Sequence, residues 1–236
     1  MKIGKRISRT FPKVRGSFSE KTAFILFHTA VVALFLQWAF PLAAQSTLNA
    51  NVTLAAQFKN VVSEGTKLES TGNWRAAVNL YEKTLKSFPE ALQLRGRVRL
   101  CRAQLDVARR YNDSTYRKSL NELDLLTSKA VFREVLTKID TYFYTNPDWK
   151  DLIKNGFWQL QLAIQNDQFR SFHKLQVNNE RDAAFKQSID HWLIRQDIRN
   201  YQDVLQAVEY ISRQANQTYL LPHQATILEM MAGSIS

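Results

Sequence analysis

Residues 58–91, FKNVVSEGTKLESTGNWRAAVNLYEKTLKSFPEA, are the stretch that decides the fold. Apolar residues recur at every third or fourth position on both sides of Gly72-Asn73, which is the pattern of two amphipathic helices. Gly72-Asn73 supplies a turn, and Pro89 ends the second helix because proline cannot continue one. Gly65 stands where two helices that pack closely need a small residue. The stretch therefore predicts an antiparallel helical hairpin.

The spacing of these residues resembles a tetratricopeptide repeat, a helical hairpin of about 34 residues. The positions that carry the resemblance are Gly65, Leu68, Gly72, Asn73, Trp74, Ala77, Tyr81 and Pro89. Two positions depart from the family pattern, because Glu64 replaces a large aliphatic residue and Thr84 replaces a small alanine. The resemblance implies a unit that binds other polypeptides and carries out no chemistry. A generic pair of amphipathic helices is the alternative interpretation.

Residues 1–44 have the arrangement of an export leader. Seven Lys or Arg residues and one acid, Glu20, precede an uncharged run from Thr22 to Ala44. The apolar core of this run, Ala23 to Phe40, is 18 residues long. That length exceeds the ~7–15 residues of a typical signal core and reaches the lower end of a bilayer span. We expect a signal peptide cleaved after Ala44, which would leave Gln45 as the mature N-terminus in the periplasm or cell envelope. An uncleaved anchor in the inner membrane is the alternative.

The formal net charge of +11 comes largely from this leader. Seven basic residues against one acidic residue account for +6, so residues 45–236 retain +5. The most basic stretch of this remainder, from Arg95 to Arg110, falls on one predicted helix and has no interleaved aromatic residues. We interpret it as a solvated helix face and expect no nucleic-acid partner. A phosphate-binding patch is the alternative.

The composition predicts an almost wholly helical protein, with only five prolines and seven glycines in 236 residues. We expect a linker and the start of the first helix over residues 45–57, and the hairpin with a covering helix over residues 58–112. A helical domain is expected over residues 113–236. The predicted fold class is therefore all-α: a tetratricopeptide-like hairpin followed by a helical bundle, behind an export leader.

Turn and cap residues predict several helix boundaries in this region. The covering helix is expected from Glu90 to Tyr111, and Asn112-Asp113-Ser114 forms a break with capping chemistry. Pro147 is expected at the first helical position of a later helix. Further helices are expected from about Glu180, from Tyr201 and after Pro222. The helix that follows the break is expected to carry a stripe of Leu120, Leu123 and Leu126.

Residues 135–157 and 204–236 share a local pattern. Each begins with Val-Leu, continues through a polar break that contains proline, and leads to a helix with paired aliphatic residues. From about Phe132 to Ser236 the chain resembles the helical segment that precedes the PDZ domain in carboxyl-terminal processing proteases. This resemblance implies the N-terminal part of a serine protease without its PDZ module and Ser/Lys catalytic core. An unrelated helical bundle and a free-standing scaffold are the alternatives.

No catalytic or metal-binding pattern is found in the sequence. Ser171-Phe172-His173-Lys174 matches Ser-x-x-Lys but lacks the partner motifs that accompany it in penicillin-recognising enzymes. The four histidines have no spacing suited to a closed metal site. Cys101, the only cysteine, is expected to be a packed core thiol. We therefore expect no catalytic residue, cofactor or metal, and a polypeptide as the partner, with membrane contact only through an uncleaved leader.

The aromatic residues of the second half have the spacing of helix faces that pack on one another. They are expected to form core rather than a ligand pocket. This set comprises Trp149, Phe157, Trp158, Phe169, Phe172, Phe185 and Trp192.

Overall fold

Ten helices make up the described part of the chain, residues 58–142 and 145–235 of a computed structural model. They are α1 (58–70), α2 (Trp74–Ser87), α3 (Leu92–Asn112), α4 (Ser114–Glu122), α5 (Leu125–Tyr142), α6 (Trp149–Gln165), α7 (Asp167–His173), α8 (Asn179–Arg195), α9 (Tyr201–Tyr219) and α10 (His223–Ser234). These residues contain no strand, which confirms the all-α class.

The turn between α1 and α2 depends on glycine. Gly72 has a φ of +69°, in the left-handed region that glycine adopts without a steric penalty. The Asn73 amide donates to the Leu68 carbonyl at 2.8 Å, which satisfies one of the last carbonyls of α1. Asn73 also caps α2, because its side-chain oxygen accepts from the Ala76 amide at 3.4 Å. These contacts fix the chain reversal between the two helices.

Close packing of α1 on α2 is possible because residue 65 is glycine. A Cβ atom at Gly65 would lie 2.2 Å from the ring of Tyr81, closer than atoms can approach. Tyr81 and Ala77 are fully buried on α2. α2 ends at Ser87, followed by Phe88 and then Pro89.

The covering helix, α3, packs along α2 and then continues to the bundle. A buried amide pair fixes this second contact. Asn166 Nδ2 donates to Gln104 Oε1 at 2.8 Å, and Gln104 Nε2 donates to the Leu162 carbonyl at 3.2 Å. Asn166 also caps α7 by accepting from the Gln168 amide at 3.1 Å. The apolar spacing of the sequence does not separate α7 from its neighbours.

Helices α5, α6, α9 and α10 pack together in the second half of the chain. Two glycines allow α6 and α10 to approach each other. A Cβ at Gly156 would lie 2.7 Å from the Met230 carbonyl oxygen, and one at Gly233 would lie 2.4 Å from Gln159 Cβ. The buried core of this region includes Phe132, Leu136, Ile153, Leu160, Ile211 and Met230.

Two predicted details of the helix boundaries are wrong. Pro147 is not the first residue of a helix, since Asp148 caps α6 and the helix begins at Trp149. The leucine stripe is interrupted because α4 ends at Glu122, and the side chain of Leu126 on α5 is 78% exposed. Local capping by aspartates decides both boundaries, and apolar spacing alone does not show it.

Residues Val61–Ser236 form one compact unit. The predicted leader, residues 1–44, and the predicted linker, residues 45–57, lie outside the described residues. Within the described ranges, no helix has both the length and the hydropathy that a membrane span requires.

Candidate functional site

A groove of about 790 Å³ lies between α2, α3, α6 and α10. Its volume falls within the range of about 300–1,000 Å³ that is usual for ligand pockets. We call it the basic groove. Its lining residues are Glu82, Leu85, Lys86, Arg95, Val98, Arg99, Arg102, Ala103, Asp106, Arg110, Trp158, Gln159 and Ala232.

Positive charge predominates in the basic groove, because five lining residues are basic and two are acidic. Four of the five cations come from α3, where residues three, four, seven or eight positions apart share a face. They are Arg95, Arg99, Arg102 and Arg110. The basic stretch of this helix was interpreted as a solvated face, but the helical period brings these four arginines to one groove. Their clustering could have been recognised from their spacing.

Two of these arginines already have carboxylate partners. Arg102 donates to Glu82 from Nη2 at 2.6 Å and from Nε at 3.1 Å, in a solvent-exposed pair. Arg110 Nη2 lies 2.5 Å from Oε2 of Glu229, a residue that is fully buried. Because a carboxylate faces each guanidinium, neither arginine offers an uncompensated charge to a ligand.

Arg99 is held in the basic groove by uncharged groups. Its Nη2 donates to Oδ1 of Asn155 at 3.0 Å, and its guanidinium carbon lies 4.6 Å from the ring centroid of Trp158. No carboxylate of the described residues lies within 4.0 Å of it. Arg99 is therefore oriented from two sides while its charge remains available, which is the arrangement that an anionic ligand requires.

Lys86 and Arg95 provide further positive charge in the same groove. Lys86, on α2, likewise has no carboxylate within 4.0 Å among the described residues. Arg95 donates to the Pro89 carbonyl and lies 4.0 Å from Glu90, whose side chain is 92% exposed. At 4.0 Å this contact is at the limit of an ion pair and contributes little in water, unlike the two short bonds from Arg102 to Glu82. Uncompensated cations thus lie on both the α2 wall and the α3 wall.

The opposite side of α3 faces the hairpin, where it contacts Glu69 at the end of α1. Its carboxylate accepts from Tyr81 Oη at 2.7 Å, from Arg97 Nη1 at 2.6 Å and from Cys101 Sγ at 3.7 Å. We call these four residues the Glu69 junction. Burial and the nearby carboxylate raise the pKa of the Cys101 thiol to about 12. Cys101 is fully buried, as predicted, and the neutral thiol is unsuited to nucleophilic chemistry.

A cluster of aromatic rings surrounds the end of α3. Burial and the carboxylate of Glu229 raise the pKa of Tyr111. The Tyr111 ring packs against the rings of Phe169, Phe172 and His173, with centroid separations of 4.9, 5.6 and 5.6 Å. Burial lowers the pKa of His173 to about 4, so the ring is neutral near pH 7. The cluster is an aromatic packing contact between α3 and α7.

The other nucleophile candidates are not arranged for catalysis. Ser171 is exposed on α7, and Lys174 ends that helix with a φ of 57°. Ser212 Oγ lies 2.7 Å from His223 Nδ1, but Ser212 is only 2% exposed. A substrate cannot reach a hydroxyl at that depth. No group of three metal-ligating side chains occurs in the described part of the chain.

All eight residues predicted to define the repeat lie in the hairpin and outside the lining of the basic groove. Gly65, Ala77 and Tyr81 are buried, whereas Leu68 and Trp74 are half-buried. The turn residues and Pro89 are exposed. The hairpin contributes to the groove through the neighbouring face of α2.

Trp158 is a residue of the groove that was expected in the core. The structure leaves it half-buried under Arg99. Other aromatic residues of the same set are buried as expected, namely Trp149, Phe157, Phe169 and Phe185. Phe172 and Trp192 are half-buried but pack against the core. Sequence periodicity could not show that Trp158 faces the groove instead, because Arg99 and Trp158 are brought together only by the packing of α3 on α6.

No protein family, curated protein or solved structure matches the chain. The resemblances to tetratricopeptide repeats and to processing proteases therefore rest on the residues named in the sequence analysis. The geometry of the basic groove is independent of both.

Proposed function

We propose that this protein is a non-catalytic polypeptide-binding module and that the basic groove is its binding site. The observation that carries the proposal is the combination of uncompensated cations with apolar surface in one groove. Leu85, Val98 and Ala232 offer that apolar surface beside Arg99. A polypeptide segment presents side chains of both kinds and can therefore use the whole groove.

The size of the groove supports a segment rather than a whole folded partner. A stable interface between two folded proteins buries about 1,200–2,000 Å² in total. A concave site of about 790 Å³ instead suits a few residues in an extended or helical conformation. The resemblance of the hairpin to tetratricopeptide repeats points to the same class of ligand.

Blocking the groove tests this proposal. The full chain is titrated into fluorescently labelled, reduced and carboxymethylated α-lactalbumin, which stays unfolded, and binding is followed by anisotropy. Ala103→Trp places a bulky ring among the groove residues. Ala108→Trp is the matched control, since Ala108 lies on the same helix outside the basic groove. Thermal melts of both variants check that they fold.

We expect the parent and Ala108→Trp to bind the unfolded chain equally, and Ala103→Trp to bind at least about tenfold more weakly. No binding by the parent, or equal binding by a folded Ala103→Trp variant, would contradict the proposal.

The polypeptide-binding role is compatible with a free-standing scaffold and with the N-terminal part of a processing protease. In either case we expect the purified chain to lack peptidase activity, because Ser171 and Lys174 have no recognisable catalytic surroundings. Cleavage of the unfolded substrate that is abolished by Ser171→Ala would show that this expectation is wrong.

We further propose that the chain is exported. Support comes from the sequence of residues 1–44, which lie outside the described residues. Amino-terminal sequencing of the protein from its host is expected to begin at Gln45. Intact chains that begin at Met1 and resist carbonate extraction would instead establish a signal anchor.

A further inference from the structure

The geometry of the basic groove points to Arg99 as the residue that anchors a carboxylate of the bound polypeptide, so that the groove selects acidic segments over neutral ones. This inference rests on the proposed function and names the class of ligand.

Two neighbouring side chains orient the guanidinium of Arg99. A guanidinium group has five N–H donors, and the structure assigns one of them to Asn155. The remaining donors lie in the plane of the guanidinium group, which is positioned over the Trp158 ring. A guanidinium held in this way loses little side-chain freedom when it forms two parallel hydrogen bonds to a carboxylate. Arg99 is thus prepared for bidentate recognition.

Arg102 and Arg110 differ from Arg99 in their partners. Glu82 faces Arg102 and Glu229 faces Arg110, so these two arginines have their carboxylates within the protein. Arg99 contacts the Asn155 amide and the Trp158 ring where the other two arginines contact a carboxylate. An incoming carboxylate would supply the missing charge at Arg99 without displacing an existing ion pair.

The lining of the basic groove favours a polypeptide over a nucleic acid. A nucleic acid carries a negative charge at every nucleotide and would bring phosphates close to Glu82 and Asp106, which also line the groove. A polypeptide can place neutral residues beside those carboxylates. The Trp158 face is occupied by Arg99, so it offers no stacking platform for a base. The apolar lining residues also favour a polypeptide.

We assign the carboxylate to an Asp or Glu side chain of the segment, and the test separates this source from a peptide C-terminus. Three labelled octapeptides separate these sources: alternating Leu and Glu with an amidated C-terminus, alternating Leu and Gln with an amidated C-terminus, and the Leu-Gln peptide with a free carboxylate. An RNA octanucleotide of uridine is the fourth ligand. Each is titrated with the full chain, and binding is followed by anisotropy at fixed salt.

The variants are Arg99→Gln and its charge-matched control Arg133→Gln. Arg133 is exposed on α5 and lies outside the basic groove. Arg99→Lys tests the planar fork, because lysine keeps the charge but cannot bind bidentately.

We expect the Leu-Glu peptide to bind about tenfold more tightly than the neutral peptide. Tighter binding of the Leu-Gln peptide with its free carboxylate than of the Leu-Glu peptide would contradict this and assign the site to a C-terminus. Arg99→Gln should abolish this preference, Arg99→Lys should reduce it, and Arg133→Gln should preserve it.

Equal binding of all three peptides, or an unchanged preference in Arg99→Gln, would overturn the inference. Tighter binding of the RNA than of either carboxylate peptide would overturn it in favour of a nucleic-acid ligand. If unfolded α-lactalbumin binds and Ala103→Trp blocks it while the peptides show no charge preference, only the role of Arg99 fails. If unfolded α-lactalbumin does not bind, the proposed function itself fails.

Discussion

Two arginines on α3, Arg97 and Arg99, are two positions apart and have opposite surroundings. Arg97 points to the Glu69 junction, where its Nη1 lies 2.6 Å from a carboxylate whose side chain is only 10% exposed. Arg99 points to the basic groove, where it meets an amide and a ring. Two residues correspond to a rotation of about 200° around a helix, which separates the two faces. Positive charge therefore stabilises the fold on one face and remains available to a ligand on the other.

Removing the ring of Tyr81 should have the largest effect on the hairpin face. Tyr81 is fully buried, and it fills the space beside Gly65. Tyr81→Ala is expected to lower the free energy of unfolding by about 3–5 kcal/mol, as for other buried aromatic truncations. Tyr81→Phe keeps the ring and removes only the hydrogen bond to Glu69, so it should cost about 1 kcal/mol. Urea titrations of both variants measure this, and a parent-like midpoint for Tyr81→Ala would refute the packing of the hairpin.

Enlarging Ala77 tests the packing of α2 from the opposite direction. Ala77 is fully buried on α2, so Ala77→Leu should overpack the hairpin and cost about 1–3 kcal/mol. Asn79 and Lys83 are exposed on the same helix, and their replacement by alanine should change stability by no more than about 0.5 kcal/mol. Thermal melts of the three variants give the comparison. If Ala77→Leu has the same melting temperature as the two controls, the tight packing of α2 around Ala77 is refuted.

Neutralising Glu69 tests the Glu69 junction itself. Glu69→Gln keeps the size of the side chain but leaves Arg97 without a carboxylate, at an expected cost of about 1–2 kcal/mol. Glu64→Gln is the matched control, because Glu64 is exposed on the same helix. Chemical denaturation of the two variants should separate them. Equal stabilities would show that the junction contributes nothing to the fold.

The hairpin could be largely predicted from the sequence, whereas the basic groove could not. Gly72, Asn73 and Pro89 act on neighbouring backbone, so their effects can be inferred from local spacing. Glu69 and Trp158 acquire their roles from residues on other helices that are distant in the sequence. The periodicity of a single helix carries no information about such partners.

Cap residues account for the remaining differences from the predicted boundaries. Asp148 and Asn166 each accept backbone N–H bonds and so start α6 and α7. Asp148 directly follows Pro147, and Asn166 follows the apolar stripe of α6. Both of these neighbouring features are stronger signals in the sequence than a cap residue. A polar residue inside a helical pattern can continue the helix or cap the next one, and apolar spacing does not distinguish these outcomes.

Replacing Arg97 and Arg99 separately by glutamine tests the contrast between the two faces most directly. Each variant is measured for its free energy of unfolding and for its affinity for the carboxylate peptide that the parent prefers. Arg97→Gln should lose about 1 kcal/mol of stability and bind the peptide like the parent. Arg99→Gln should keep its stability within about 0.5 kcal/mol and bind about tenfold more weakly. If the two variants lose equal stability, or lose equal affinity for the peptide, the assignment of one face of α3 to the fold and the other to the ligand is contradicted.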